Sequence, residues 1–236
     1  MFGLTITLSI LLGLALLAAC IFEFVNGFHD TANAVATVIY TKSLKPQQAV
    51  VWSGIMNFVG LITGGVGVAL SIVTLIPKEL LTDVNIYHTM GMVMSILITA
   101  ILWNLATWYK GIPASSSHTL IGSIIGVSVG YSILTGVDYT NWDKIIDIGK
   151  ALAFSPLFGF SMVIKRKDVF EEPKGDTPPP FWIRATLIST CTLVSFFHGR
   201  NDGQKGVGLV MIILMAFLPT IFTLETVENP PMWVMW

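Results

Sequence analysis

Charged side chains are scarce in this sequence. Asp, Glu, Lys and Arg make up 11% of the 236 residues, whereas about 25% is usual for a soluble protein. Hydrophobic residues make up 53%, so the composition excludes an ordinary soluble domain and predicts a protein embedded in a lipid bilayer. The formal net charge of -1 provides no basic surface for nucleic acid, and none is expected as a partner.

Cysteine is almost absent, and basic residues are missing from the N-terminus. Cys20 and Cys191 both lie in apolar runs, so we expect small buried side chains and neither a disulfide framework nor a resident metal or cofactor. Residues 17–20 resemble a lipoprotein cleavage site, but no Lys or Arg precedes them, as a signal peptide requires. We therefore predict a retained transmembrane helix over residues 4–25, with a cleaved signal as the alternative.

Several apolar runs predict an all-α polytopic membrane protein. The runs over 49–76 and 89–109 reach the roughly 20 residues that a helical span needs. Glycines in the first of them would allow close helix packing, tilting or a break. The run over 145–164 contains charged residues and a proline, and its apolar part is too short to cross alone. Two further runs, 181–197 and 207–222, are separated by a polar break.

The first polar segment within the apolar sequence is NGFHDTANAVAT, residues 26–37. In a helix, Asn26, Asp30, Asn33 and Thr37 share one face. A carboxylate or bare amide facing hydrocarbon is costly, so this face must meet a bundle interior, a water-filled cavity or a ligand. A functional site is the favoured interpretation, and plain helix packing is the alternative.

A second polar segment, PASSSHT, covers residues 113–119 and precedes another apolar helix. Pro113 followed by Ser115, Ser116 and Ser117 is typical of a helix start. A helix N-terminus with hydroxyl donors can bind a tetrahedral oxyanion without many cationic side chains. We also predict a re-entrant helical hairpin here, and the alternative is a self-satisfied helix start.

A third polar segment, HGRNDGQKG at residues 198–206, repeats the first. One offset of 172 residues relates Gly27 to Gly199, Asp30 to Asp202 and Asn33 to Lys205. Such internal repeats are typical of transporters with two related halves and a site near the midplane. We predict a first transmembrane repeat over 1–164, a polar loop over 165–180, and an incomplete second repeat over 181–236. At this offset, a partner for the serine segment would fall beyond residue 236.

The two aspartates would repel an anion unless a cation or proton binds with it. Asp30 and Asp202 therefore favour a symport mechanism, and Lys205 could compensate charge directly.

Together, the three segments closely resemble the signatures of the inorganic phosphate transporter (PiT) family, in its bacterial low-affinity form. The resemblance implies transport of inorganic phosphate, possibly as a metal–phosphate complex, across the bacterial inner membrane, driven by a proton or sodium gradient. It implies phosphate ligands and coupling-ion ligands, with no catalytic residue and no resident metal. The implied phosphate ligands are Ser115, Ser116, Ser117, Asn33 and Lys205, and the implied coupling-ion ligands are Asp30, Asp202, Asn26 and Asn201.

The sequence also departs from the family. Arg200 stands where the third signature usually has Ala, so its guanidinium should pair with a carboxylate or crowd the site. The family's second Ser/Thr-rich hairpin is absent, which implies a homo-oligomer or a complementing chain. A non-transporting remnant, or one part of a split transporter, is the main alternative. A second alternative is an intramembrane hydrolase, because residues 126–130 match G-x-S-x-G around Ser128 and Ser117 adjoins His118.

Overall fold

The computed structural model describes residues 5–76, 85–112, 114–138, 140–163 and 178–223. Within these ranges the chain forms seven helices and no strand, which confirms the all-α prediction. Pro113 and the greater part of the predicted polar loop, residues 165–177, lie outside them. The helices are α1 (Ile6–Tyr40), α2 (Pro46–Thr63), α3 (Gly67–Val73), α4 (Ile86–Tyr109), α5 (Ser116–Thr135), α6 (Trp142–Val163) and α7 (Phe181–Phe217).

Three of these helices, α1, α4 and α5, are long and apolar enough to cross a membrane. The pair α2 and α3 qualifies together, with a bend of 77° between its members. The chain is therefore a polytopic membrane protein, as predicted. Helix α6 does not qualify as a span, in agreement with its mixed composition. The predicted bend in the glycine-rich second run occurs between α2 and α3, and the re-entrant hairpin at the serines stays a prediction.

Helix α7 runs without interruption through the polar segment at 198–206. The polar break between the two apolar runs is therefore a change of side-chain character and does not interrupt the backbone. A continuous helix satisfies its peptide groups internally, which matters most at membrane depth. Helix α1 likewise continues through the first polar segment to Tyr40. The two polar segments therefore lie within two long helices that pack against each other.

Helix α7 packs most extensively against α2, and glycines permit this close crossing. A Cβ added to Gly199 would collide with the backbone of Asn57, and one added to Gly60 would collide with the backbone carbonyl of Phe196. A buried hydrogen bond of 2.8 Å joins the hydroxyls of Ser53 and Ser195 across the same contact. Small residues and interhelical hydroxyl bonds are the usual means of helix association in membranes.

The bend between α2 and α3 is held by a side chain of α7. Helix α3 has no side-chain N-cap of its own, so its first backbone N–H groups need outside acceptors. Gln204 provides one, since its Oε1 accepts from the Val68 N–H at 2.9 Å. The Gln204 amide nitrogen donates to the Arg200 carbonyl at 2.7 Å. Gln204 thereby fixes α3 beside the polar segment of α7.

The largest buried cluster lies among α1, α3, α4, α5 and the C-terminal half of α7. Its fully buried side chains include Phe22, Leu97, Leu120, Ile212 and Phe217. Helix α5 begins at Ser116, with Ser115 as its N-cap, so the predicted helix start at the serines is confirmed. Burial of one face of α7 against this cluster fixes the depth and rotation of its polar residues.

Candidate functional site

Lys205 connects the second and third polar segments. Its side chain is only 3% exposed, and its Nζ donates to Ser116 Oγ at 3.0 Å. The same ammonium forms an ion pair with Asp202 Oδ1 at 3.0 Å. A buried ammonium needs a countercharge and hydrogen-bond acceptors, and here one turn of α7 and the first turn of α5 provide them.

The first polar segment joins this cluster through Asp30. The carboxyl groups of Asp30 and Asp202 lie close enough to act directly on each other, and Lys205 acts electrostatically on Asp30. Two ionised carboxylates side by side repel each other, so a proton or a cation at the pair would stabilise it. The two aspartates related by the internal repeat therefore meet at the contact between α1 and α7.

A cavity of about 380 Å³ opens beside Lys205. Ser117 lines it, together with α3 residues that Gln204 helps to position. Its volume lies in the range of roughly 300–1,000 Å³ that is typical of small-molecule sites. Lysine, two hydroxyls and the N-terminus of α5 give its polar end the donors that an oxyanion needs. The lining residues are Val68, Ser71, Ile72, Thr74, Leu75, Ser117, Leu120, Ile121, Asp147, Ile148 and Lys205.

Some predicted site residues lie apart from this cluster. Ser115 caps α5 by accepting from the His118 N–H at 3.4 Å, and it lines a different cavity of about 450 Å³ between α4 and α5. Asn33 and Asn201 are exposed. The structure therefore assembles Asp30, Asp202, Lys205, Ser116 and Ser117, and it does not bring the other three to them.

Asn26, by contrast, is 2% exposed, and its Oδ1 has no hydrogen-bond partner in the described part of the chain. Its side chain interacts with the carboxyl of Glu23, one turn earlier on α1. The sequence-based site omitted Glu23, although it is the sole charge in the first apolar run. The sequence-based site also omitted Gln204, and the sequence contains little indication of this residue's role, because the capping of α3 by Gln204 depends on tertiary packing.

Arg200 does not fulfil the expectation based on its charge. Its side chain is exposed, and no ion pair with a carboxylate is found within the described ranges, so the predictions of pairing or crowding are wrong there. His29 contacts its own helix, since its Nδ1 lies 3.1 Å from the Val25 carbonyl, while its Nε2 is buried without a partner among the described residues.

The features that favoured a hydrolase have structural explanations. Ser128 lies in the middle of α5, and its hydroxyl donates to the Ile124 carbonyl at 2.9 Å, the usual partner for a serine inside a helix. The nucleophile elbow requires a sharp turn between a strand and a helix, and Ser128 has none. His118 and Ser117 line different cavities, so they do not form a nucleophile and base pair.

A model of the phosphate transporter family matches residues 26–165. The chain belongs to this family. The matched region begins at the first polar segment and includes the serine segment, so the family resemblance inferred from these segments is confirmed. The family consists of transporters, so the chain is a transporter-family membrane protein and not an enzyme.

Curated relatives extend the match to almost the whole chain. The low-affinity inorganic phosphate transporters PitA and PitB of Escherichia coli (strain K12) are each 44% identical over 94% of this chain and 49% of their own length. A probable low-affinity inorganic phosphate transporter of Bacillus subtilis (strain 168) is 38% identical over 96% of the chain and 66% of its own length. The chain thus spans about half the length of the Escherichia coli relatives. No solved structure matches it.

Proposed function

We propose that this chain binds inorganic phosphate beside Lys205 and takes part in its transport across the membrane. The contact of Lys205 with both Ser116 and Asp202 is the observation that carries the proposal, because it places anion donors next to a carboxyl pair. The relatives are inorganic phosphate transporters by name, and this supplies the identity of the anion.

The donors at the site suit a phosphate oxygen. A lysine ammonium has three N–H donors, and contacts to Ser116 and Asp202 use two of them. The third remains available for an anion in the cavity. Ser116 accepts from Lys205, so its own O–H is free to donate, and Ser117 adds a second hydroxyl. Ser115, Asn33 and Asn201 remain predicted ligands that would join the site only after a rearrangement or with further protein.

Coupling to a cation follows from the charges beside this anion site. The Asp30–Asp202 pair can bind phosphate nearby only if a proton or a sodium ion reduces its negative charge. We propose a proton at this pair, because one proton would remove the repulsion between two neighbouring carboxylates that lie beside a single ammonium. Sodium coupling and carriage of phosphate with a divalent metal remain alternatives. Asn26 would complete the ion site from α1.

Helices α1 and α7 would then be the corresponding helices of two repeats, and movement of one repeat against the other would expose the site alternately to each side. The bacterial inner membrane is the proposed location. Because Ser115, Asn33 and Asn201 lie apart from Lys205 in this chain, we propose that transport involves a second copy or a complementing chain. The alternative of a non-transporting part would still retain the phosphate site.

Two measurements test these proposals on the purified 236-residue chain. Equilibrium binding of radiolabelled phosphate should weaken by roughly 10- to 150-fold in Ser116→Ala, since a hydrogen bond to a charged group contributes about 1.5–3 kcal/mol. Ser128→Ala is the matched control, because Ser128 is equally buried on the same helix but bonds only to its own backbone. Equal phosphate affinity in Ser116→Ala and Ser128→Ala would contradict the proposed phosphate site at Ser116.

Uptake into liposomes then tests transport. The chain alone should accumulate phosphate under an imposed proton gradient, and a sodium gradient serves as the comparison. Phosphate binding without uptake under either gradient would support the split-transporter alternative. Absence of both binding and uptake in a folded preparation would refute the proposed function.

A further inference from the structure

A third carboxyl group lies beside the proposed transport site. Glu23 Oε1 is buried and accepts no hydrogen bond in the part of the chain that the structure covers. Helix α7 closes over it at Gly206, where an added Cβ would lie 2.9 Å from Glu23 Cγ and 3.2 Å from Oε1. Glycine at this position therefore lets the α7 backbone shield the carboxyl from solvent.

The side-chain amide of Asn26 also has an oxygen that lacks a hydrogen-bond donor within the described ranges. Asn26 Oδ1 is also buried without a partner among the described residues, and Asn26 contacts Glu23 through its side chain. An unsatisfied buried polar atom costs about 1–3 kcal/mol, and a charged one costs more. Two adjacent orphaned oxygen acceptors indicate a missing positive charge or hydrogen-bond donor.

The charges around Glu23 also indicate that a positive charge or a proton is missing. The charged groups that act on Glu23 are Lys205 and Asp202 from α7, and Asp30 from its own helix. If all were ionised, three carboxylates would face one ammonium at membrane depth, where each uncompensated charge is expensive. The proton proposed for the Asp30–Asp202 pair would remove one surplus negative charge. One surplus negative charge would remain, and a proton on Glu23 would remove it.

A metal ion is a poor candidate for this second charge. Across the described ranges, no group of three or more His, Cys, Asp or Glu side chains is arranged to hold one. A proton needs only one carboxyl oxygen, and the resulting O–H supplies the donor that the Glu23 and Asn26 pair lacks.

We propose that Glu23 binds an exchangeable proton of its own, separate from the proton shared by Asp30 and Asp202. The site then holds two protons, three carboxyl groups and one ammonium, and its net charge is zero before phosphate enters. The charge count and a role in coupling rest on the proposed function, whereas the buried Glu23 and Asn26 oxygens without partners do not. Glu23 is thus a further ion-binding residue of the transport site.

Infrared spectroscopy of the purified full chain in lipid tests this proposal, because a protonated carboxylic acid has a carbonyl stretch that a carboxylate lacks. In sodium-free buffer, the difference between the unmodified chain and Glu23→Gln should show the loss of one protonated-carboxyl band. That band should fade as the pH is raised. Asp143→Asn is the control, since Asp143 is exposed in the first turn of α6 and does not line the cavity beside Lys205, and its difference spectrum should lack this band.

The other outcomes are equally informative. Identical protonated-carboxyl bands in the unmodified chain and Glu23→Gln at every pH would overturn the proposal. Removal of the band by sodium at constant pH would also overturn it. If Glu23→Gln does not fold, Glu23→Asp should shift the band because its carboxyl lies elsewhere, and an unshifted band would count against Glu23. Phosphate binding on the same preparation tests the proposed function separately, so that the two can fail independently.

Discussion

Two ion pairs in this chain have the same spacing and length but differ in burial. We therefore expect loss of the lysine to reduce the stability of the protein much more in one pair than in the other. Lys205–Asp202 and Lys150–Asp147 both join residues three positions apart, and both are 3.0 Å long. The side-chain exposures are 3% and 20% for the first pair, but 62% and 75% for the second. Geometry is matched, so the surroundings decide the energy.

We predict that Lys205→Met lowers the free energy of unfolding by about 3–5 kcal/mol, because it leaves the partly buried Asp202 without its counterion. Lys150→Met should cost at most about 1 kcal/mol, as is usual for exposed pairs. Methionine retains most of the lysine stem, so lost packing contributes little to either value. The measurement is denaturant-induced unfolding of the purified chain in micelles, followed by tryptophan fluorescence.

A double variant sharpens the test. Asp202→Asn combined with Lys205→Met should cost clearly less than the sum of the single changes, because no charge is then left unpaired. Equal destabilisation by Lys205→Met and Lys150→Met would refute the reasoning. Strict additivity in the double variant would show that the two residues do not interact as the structure describes.

Three further predictions concern positions outside the ion pairs. Gly199→Ala should lower the free energy of unfolding by about 1–3 kcal/mol or more, because the added methyl group would push α2 away from α7. A methyl group added at Gly126 meets nothing within 4 Å, so Gly126→Ala should be neutral or stabilising in thermal unfolding. The reverse order of the two variants would contradict the close crossing of α2 and α7. Gln204→Leu should free the start of α3 and speed amide hydrogen exchange there, and unchanged exchange would exclude the capping role. The Trp142 indole and a backbone N–H bond Asp138 and hold the pKa of its carboxyl below the usual value near 4. This pairing should therefore persist at neutral pH and disappear only in stronger acid, with an acid transition in Trp142 fluorescence that Asp138→Asn abolishes.

The sequence predicted most of the architecture because the bilayer imposes strong constraints. Apolar length identified helices α1 and α4 as spans, and the glycines of the run over 49–76 allowed the break that follows α2. The residue types alone left open whether the polar segment at 198–206 is helical, and it remains helical within α7. In lipid, a polar side chain does not interrupt a helix, because internal hydrogen bonding is the only inexpensive state of the backbone.

For the site, the sequence identified residue types and only part of the grouping. The repeat offset related Asp30 to Asp202, and in the structure these two carboxyl groups lie close together. It could not predict that Ser115 would cap its own helix while Ser116 reaches Lys205. Neighbouring positions point about 100° apart around a helix, so helix rotation decides which hydroxyl enters the site.

The sequence by itself determined that this is an α-helical membrane protein of the phosphate transporter family, because composition, apolar length and three polar motifs are properties of the chain alone. Only the tertiary structure placed Lys205 between Ser116 and Asp202, closed Gly206 over Glu23 and used Gln204 to hold α3. These contacts join residues far apart in the chain. They depend on helix rotation, depth and crossing, which are set by packing around α7 and which no local pattern encodes.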